Sequence, residues 1–416
     1  MSRLDQNPGG RTSQEESAYA WFRLAAALGI GTLTSVGMWS VVVALPAVQA
    51  DFAVARGDAS LPYTMTMVGF GLGGVFIGRL VDRFGIVRPM LLSTATLAAG
   101  YIGSAFAPTL LLLAVAQLAI GVGTSGAFAP LMADISHWFT RRRGIAVAIC
   151  ASGNYLGGAL WPPVVQHAIA DYGWRSTHFG IGFFCLIATP PLLLALRRTA
   201  PMEDTSVGTR GPTAARPLGL SPKALQFLIC LAGVACCVAM SMPQVHIVAY
   251  CADLGYGPAR GAEMLSIMLG SGVISRVGSG FIADRIGALP TLLLGSVLQT
   301  VALLLYLIFD GLTSLYVISL LFGLFQGGIV PMYAIVVREH FPANETGYRV
   351  GLAVMATIAG MALGGWMSGA IFDLTGSYWQ AFANGVAWNV VNALIILFLL
   401  MRRSEPQPAL ASARFG

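Results

Sequence analysis

Charge is what this sequence has least of. Lys, Arg, Asp and Glu make up 10 % of its 416 residues, against about 25 % in a soluble domain. Hydrophobic residues make up 56 %, and the mean hydropathy is +0.74. This excludes an ordinary soluble domain and indicates a chain whose solvent is mostly lipid. Cysteine is sparse too. Cys150, Cys185, Cys230, Cys236, Cys237 and Cys251 fall in or beside apolar runs and make no CxxC pair, so they read as small buried hydrophobes, not metal ligands or disulfides. No GxxxxGKS-type loop marks an ATP site. No paired carboxylates, metal-ligand cluster or nucleophile–histidine set fall at one depth, so neither an enzyme nor a cofactor is expected. Residues 1–21 lack the apolar core and small-residue cleavage site of a signal peptide and read as a cytosolic tail. The basic residues form no single stripe, so the pI of about 9.1 gives no reason to expect a nucleic-acid partner.

What the sequence does have is apolar runs long enough to cross about 30 Å of hydrocarbon. Twelve are expected, at 22–48, 61–81, 89–107, 110–132, 144–170, 177–198, 224–250, 262–283, 289–309, 313–337, 348–372 and 380–401. They are continuous and lack the alternation of barrel strands, so helices are expected. With a cytosolic N-terminus, 20 of the 24 Lys and Arg fall on the cytosolic side, including Arg141, Arg142 and Arg143. Only Arg56, Arg175 and Arg260 fall opposite, and Arg276 lies inside the membrane. That asymmetry places both termini in the cytosol of an inner or plasma membrane protein.

The chain divides once, at a Pro-, Gly- and Thr-rich linker spanning residues 199–223. On either side, 22–198 and 224–401 each hold six runs, and 402–416 is a second cytosolic tail. The halves repeat. "GRLVDRFG" from Gly78 returns 202 residues later as "GFIADRIG" from Gly280, pairing Asp82 with Asp284, Arg83 with Arg285 and Gly85 with Gly287. "GVGTSGAFAPLMADISHWF" from Gly121 resembles "GLFQGGIVPMYAIVVREHF" from Gly323. The expected fold is all-α: twelve transmembrane helices in two pseudo-symmetric six-helix bundles, with a cleft between them and alternating access by rocking. Gly121, Gly123 and Gly126 match the dinucleotide pattern GxGxxG. With no βαβ unit around them, they read as helix-packing contacts.

The Gly-x-x-x-Asp-Arg-x-Gly repeat, twelve runs and central linker resemble the major facilitator superfamily across the whole chain. The resemblance implies that Asp82 and Arg83 join Asp134 in a latch closing the cytosolic side, with Asp284, Arg285 and Glu339 as equivalents. Within the superfamily, "WFTRRRGIAVA" from Trp138, "SGNYLGG" from Ser152 and the arginine at 276 resemble the monocarboxylate transporter branch and its bacterial organic-acid relatives. In that branch the arginine holds the substrate carboxylate. Two departures stand out: the animal members carry an aspartate where Gly272 stands and a lysine where Ala47 follows Pro46. Both are tied to proton coupling there, so proton symport and anion exchange stay open.

Arg276 asks for a partner on physical grounds alone. An arginine at mid-membrane costs about 2.5–3.5 kcal/mol on insertion scales, and its guanidinium cannot lose its proton. No Asp or Glu lies at its depth. The two readings are a fixed contact with backbone carbonyls or a displaced acid, and a two-pronged grip on a carboxylate or another planar anion. Asn154, Tyr155 and Gln326 share its depth and are expected in a substrate site; Tyr333 and Trp366 are either pocket wall or packing. His246 is the candidate for a coupled proton, with an ordinary pKa of about 6.5. The expected function is secondary transport of a small organic anion, with a monocarboxylate foremost, by one chain that supplies a complete cleft. The rivals are an efflux pump for hydrophobic or amphipathic compounds and a non-transporting membrane receptor.

Overall fold

The computed structural model describes residues 17–139, 142–198 and 217–403. Residues 1–16, 199–216 and 404–416, which hold most of the expected tails and linker, lie outside the described residues, as does Arg141.

Every regular element among the described residues is helical. The run opens with α1 (Ala18–Thr34), α2 (Val36–Phe52), α3 (Arg56–Phe84), α4 (Val87–Ala105), α5 (Leu110–Ser125), α6 (Ala129–Ser136) and α7 (Arg143–Leu193). It continues through α8 (Pro222–Asp253), α9 (Pro258–Ile286), α10 (Ala288–Ile308), α11 (Leu312–Gln326), α12 (Ile329–His340), α13 (Ala343–Thr375) and α14 (Tyr378–Arg403). Side-chain oxygens of Ser17, Thr109 and Ser221 cap the orphan N–H groups of α1, α5 and α8, and Pro222 and Pro258 stand at first-turn positions that need no donor.

Ten stretches among the described residues are long and apolar enough to cross a membrane. The expected third run, α4, is a 19-residue helix outside that set, its hydropathy lowered by Arg88 and Pro89 in its first turn and by Ser93, Thr94, Thr96 and Ser104. The expected fifth and sixth runs fall in one stretch, Gly144–Leu196. Within it Gly173 takes φ 76° and ψ 160°, open to a residue without Cβ, so the helix is broken there. Large apolar side chains such as Leu111, Phe183, Ile274 and Ile308 are more than half exposed, more apolar surface than water tolerates and what lipid requires.

Helices α1–α7 pack mainly on one another, as do α8–α14. The two sets meet where α3 lies on α13, α7 on α9, and α2 on α8 and α9. Glycine makes the crossings within each set close. A Cβ at Gly121, Gly123 or Gly126 would overlap Thr66, Leu97 or Ser93, so the GxGxxG pattern is a packing face. The corresponding Gly323 and Gly328 pack the same way against Met268 and Ser279.

The contacts between the sets have a direction. Helices α3 and α9 have 29 residues each, about 43 Å, and run from the end carrying Arg56 and Asp253 to the end carrying Gly85 and Gly287. Along α3, a Cβ on Gly57 would lie 3.1 Å from Ala370 N, one on Gly71 would lie 3.2 Å from Met355 Cε, and Gly365 backs onto the Tyr63 ring. Beyond that level, Cβ atoms on Gly74, Gly78, Gly347 and Gly351 would meet nothing within 4 Å. Along α7 and α9, Ser266 donates to Ala159 O and Gly272 abuts Tyr155, while Cβ atoms on Gly144, Gly278 and Gly280 would again meet nothing within 4 Å. The sets are closed at the Arg56 end and part toward the Gly85 end.

Candidate functional site

Arg276 stands at the level where the two sets part. It projects from α9, half-buried, toward α7 of the other set. Its Nε donates to Gly327 O at 3.2 Å and its Nη1 to Ala151 O at 3.2 Å, and its guanidinium carbon lies 3.9 Å from the centroid of the Tyr155 ring. Nη2 donates to no group among the described residues. A guanidinium has five N–H bonds in a planar fork, so two carbonyls and one aromatic face fix its plane and leave donors over. The backbone-carbonyl contacts of the first reading are present, and Nη2 keeps its hydrogens without an acceptor among the described residues.

The Tyr155 ring occupies the space of a missing side chain. A Cβ on Gly272, one turn before Arg276, would fall 2.6 Å from Tyr155 Cδ1 and closer still to Cε1. The space beside the arginine is thus taken by an aromatic face, worth about 0.5–2 kcal/mol to a cation.

Several buried polar atoms on α2, α3, α7, α8 and α11 have no partner among the described residues. Gln326, fully buried at the end of α11, has both amide atoms unpaired; Asn154 Oδ1 on α7 and the Tyr63 hydroxyl on α3 are also unpaired. So are both amide atoms of Gln244 on α8 and the Trp39 indole nitrogen on α2, whose ring lies against Gly158. A buried polar atom without a partner costs about 1–3 kcal/mol, so each of these atoms asks for a water or a polar ligand. Tyr155, next to Asn154 on α7, lies under Arg276, and Gln326 directly precedes the Gly327 whose carbonyl Arg276 holds. Tyr333 stands apart. It is buried within α8–α14 and donates to Asn392 Oδ1 at 2.8 Å, while Asn392 Nδ2 donates to Ser296 Oγ at 2.8 Å. Tyr333 is part of a satisfied core network.

At the closed end the chief residue is Arg56, only 7 % exposed. Its Nη1 and Nη2 reach Asp253 at 2.9 and 3.2 Å, its Nε donates to Gln49 Oε1 at 2.6 Å, and Nη1 also donates to the Tyr378 hydroxyl. The guanidinium lies 4.8 Å from the Phe372 ring. The backbone N–H groups of Arg56 and Gly57 donate to the Asp373 carboxylate at 2.8 and 2.6 Å. His246, fully buried, is satisfied: Nε2 donates to Gly365 O at 2.8 Å, and Nδ1 faces the Tyr378 hydroxyl at 3.4 Å.

At the parted end the expected latch is not assembled. Asp82, Arg83, Asp284, Arg285 and Glu339 are exposed and make no ion pair among the described residues. Asp134 is held by Arg23 through two bonds of 2.7 and 2.8 Å, and Arg23 also donates to Arg198 O at 2.9 Å. Gly78 and Gly280 face open space.

Sequence reasoning missed Arg23, Arg56 with its carboxylates, and the Gly272–Tyr155 fit. Arg23 and Arg56 were visible only as topology charges. The signal for Arg56 was its place at the very start of a long apolar helix.

Comparisons with known proteins bear on the family and the fold. The family model described as Major Facilitator Superfamily matches residues 27–312 and 263–416. The chain is 28 % identical over 402 residues to monocarboxylate transporter 13 of Rattus norvegicus, covering 94 % of this chain and 91 % of that one. It is 27 % identical to monocarboxylate transporter 11 of Mus musculus, covering 88 % and 84 % of the two chains. Among solved structures, a mutant of the nucleoside transporter NupG superposes with a TM-score of 0.72 at 13 % identity, over 90 % of this chain and 99 % of that one. A bacterial homologue of the human lysosomal transporter Spinster, inward-facing and occupied, gives 0.70 at 14 % identity, over 95 % and 100 %.

Proposed function

This chain belongs to the Major Facilitator Superfamily, and on that footing we propose that it is a secondary active transporter of a small organic anion of the monocarboxylate class. The observation that carries the reading is Arg276: a permanent cation where the two helix sets part, oriented by two carbonyls and an aromatic face, with donors unspent. The similarity to transporters named for monocarboxylates supports the same class.

In this reading α1–α2 and α5–α6 are single passes, α7 is two passes broken at Gly173, and α11–α12 is one. That gives twelve passes in two bundles, 22–198 and 224–401, joined by the cytosolic linker 199–223, in a cell membrane with both termini in the cytosol. The Gly85 end is then cytosolic, and the protein is open to the cytosol with its outer side closed. The unassembled latch around Asp82 and Arg83 belongs to that state, since the latch would form only when the Gly85 end closes. One chain supplies the whole cleft, so a monomer suffices.

Arg276 attracts the anion and receives its carboxylate on the free edge of the guanidinium, where charge-assisted bonds are strongest. Asn154, Gln326 and Tyr63 offer further hydrogen bonds to the rest of the molecule. Rocking then exchanges the closed end, with energy from an ion or substrate gradient. The test is uptake of labelled lactate, pyruvate and larger monocarboxylates into proteoliposomes, with and without an inward proton gradient, for wild type and Arg276→Lys. Saturable uptake lost in the variant supports the reading, and its gradient dependence distinguishes symport from exchange. Uptake of amphipathic drugs but of no acid, indifferent to position 276, would replace it with the efflux reading.

A further inference from the structure

We propose that Arg56 is the lock of the closed outer side and that His246, reached through Tyr378, is its proton-operated release. The inference rests on the transport reading above and names residues for its outer gate.

The lock is asymmetric. Arg56 comes from α3, while the socket that receives it is built by the other set: Asp253 on α8, Phe372 and Asp373 on α13, and Tyr378 on α14. One side chain and its own backbone N–H thus tie α3 to three helices at once. The tie lies where α3 and α13 approach most closely, so the outer side cannot open without drawing the arginine out of its socket.

Tyr378 connects this socket to His246. A carbonyl oxygen only accepts, so the hydrogen on His246 Nε2 is committed to Gly365. In the neutral ring Nδ1 is then an acceptor, and it takes the Tyr378 hydroxyl hydrogen. The same hydroxyl oxygen accepts from Arg56 Nη1. The order is Arg56 to Tyr378 to His246 to Gly365, each donor used once.

A cavity adjoins this relay at Tyr378. It measures about 320 Å³ and has Asp253, Asp310, Tyr250, Tyr306, Tyr378 and Phe382 among its walls. A proton arriving there is taken up by the Tyr378 oxygen as that hydroxyl passes its own hydrogen to His246 Nδ1. Tyr378 ends neutral and His246 ends as an imidazolium. Both imidazole nitrogens then carry hydrogen, so Tyr378 no longer has an acceptor on that side. The imidazolium and Arg56 compete for one hydroxyl oxygen. The charged and titratable groups facing the ring are Arg56 from α3, Asp373 from α13, Tyr378 from α14 and Asp253 on α8 itself. The new cation therefore draws on Asp253, which pairs with the guanidinium, and on Asp373, which holds the backbone N–H groups of Arg56 and Gly57. Arg56 is loosened, and the outer side opens to load substrate with the proton aboard.

The test needs no substrate. Phe106 and Leu374, 71 % and 86 % exposed at the Arg56 end of the two sets, are changed to Cys and spin-labelled. Cys230, half-buried where the other five cysteines are buried, is changed to Ser. Pulsed spectroscopy then reads the label separation in steps from about pH 7.5 down to about pH 4, a range that covers exposed and buried imidazoles alike. Wild type is expected to show one short separation at the higher pH and a growing longer one at the lower. Loss of that response is expected in His246→Gln and in Tyr378→Phe, which serves equally if the histidine variant does not fold. The longer separation is expected at every pH in Arg56→Gln. An undiminished pH response in His246→Gln or Tyr378→Phe, a short separation in Arg56→Gln at every pH, or opening on raising the pH would overturn the proposal. Uptake by the same wild-type preparation separates the two claims. Uptake with pH-blind labels removes the gate alone; pH-driven opening without uptake of any acid removes the transport reading and leaves the gate.

Discussion

Placing one methyl group on Gly272 tests how Arg276 is held. In Gly272→Ala the new carbon would lie 2.6 Å from Tyr155 Cδ1, where carbon atoms rest about 3.5–4.0 Å apart. The ring must move by about 1 Å or more, yet Tyr155 is 5 % exposed and lies under the guanidinium. Overpacking of this kind costs about 1–3 kcal/mol. The clash is between α9 and α7, so the cost falls on the state in which those helices meet. The expected result is a shift of about 5- to 150-fold between closed and open outer side, with weaker carboxylate binding as Arg276 loses its platform. Tyr155→Ala removes the platform without the clash, about 0.5–2 kcal/mol of cation–π attraction. In the double variant the methyl has no ring to strike. A double-mutant cycle on thermal stability, repeated on substrate affinity, should therefore show coupling of about 1–3 kcal/mol. Additivity within about 0.5 kcal/mol, the behaviour of independent sites, would refute the packing argument.

Gln326→Leu should raise thermal stability while lowering uptake, because it removes two unpaired buried amide atoms at a cost of about 1–3 kcal/mol each; a stability loss would mean the amide is satisfied in the native protein. Tyr333→Phe should leave uptake intact and cost about 1 kcal/mol of stability, since it deletes one bond to Asn392; a lost substrate affinity in binding assays would return Tyr333 to the site. Arg23→Ala leaves Asp134 without its buried partner and should cost about 3–5 kcal/mol in chemical denaturation, much of it recovered in the pair Arg23→Met/Asp134→Leu.

The parts legible in the sequence were those written in single residues or in local periodicity. Apolar runs marked the helices, the 202-residue repeat related Gly121 to Gly323, and Arg276 stood out because a charge in an apolar run has few explanations. The illegible parts depended on partners far along the chain. Arg56 looked like a loop charge until the fold brought it to Asp253, Asp373 and Tyr378, the last 322 residues away. Asp134 was expected to join Asp82 and Arg83, but Arg23, on the first helix, takes its carboxylate. Depth was readable for Tyr333 but its partner was not, because its hydroxyl meets Asn392 on another helix, 59 residues along the chain. Gly272 was visible only as a missing acid, and the ring that fills its space belongs to another helix.

The most direct test of the central claim is titration calorimetry of the purified protein with lactate and with lactamide, the neutral amide of nearly the same shape. If Arg276 grips a carboxylate, lactate or a larger monocarboxylate binds saturably, the matched amide does not, and Arg276→Lys weakens the acid by at least about tenfold, the equivalent of about 1.4 kcal/mol. Equal binding of acid and amide, or acid binding unchanged in the variant, would contradict the account and leave Arg276 a structural residue held by Ala151, Gly327 and Tyr155.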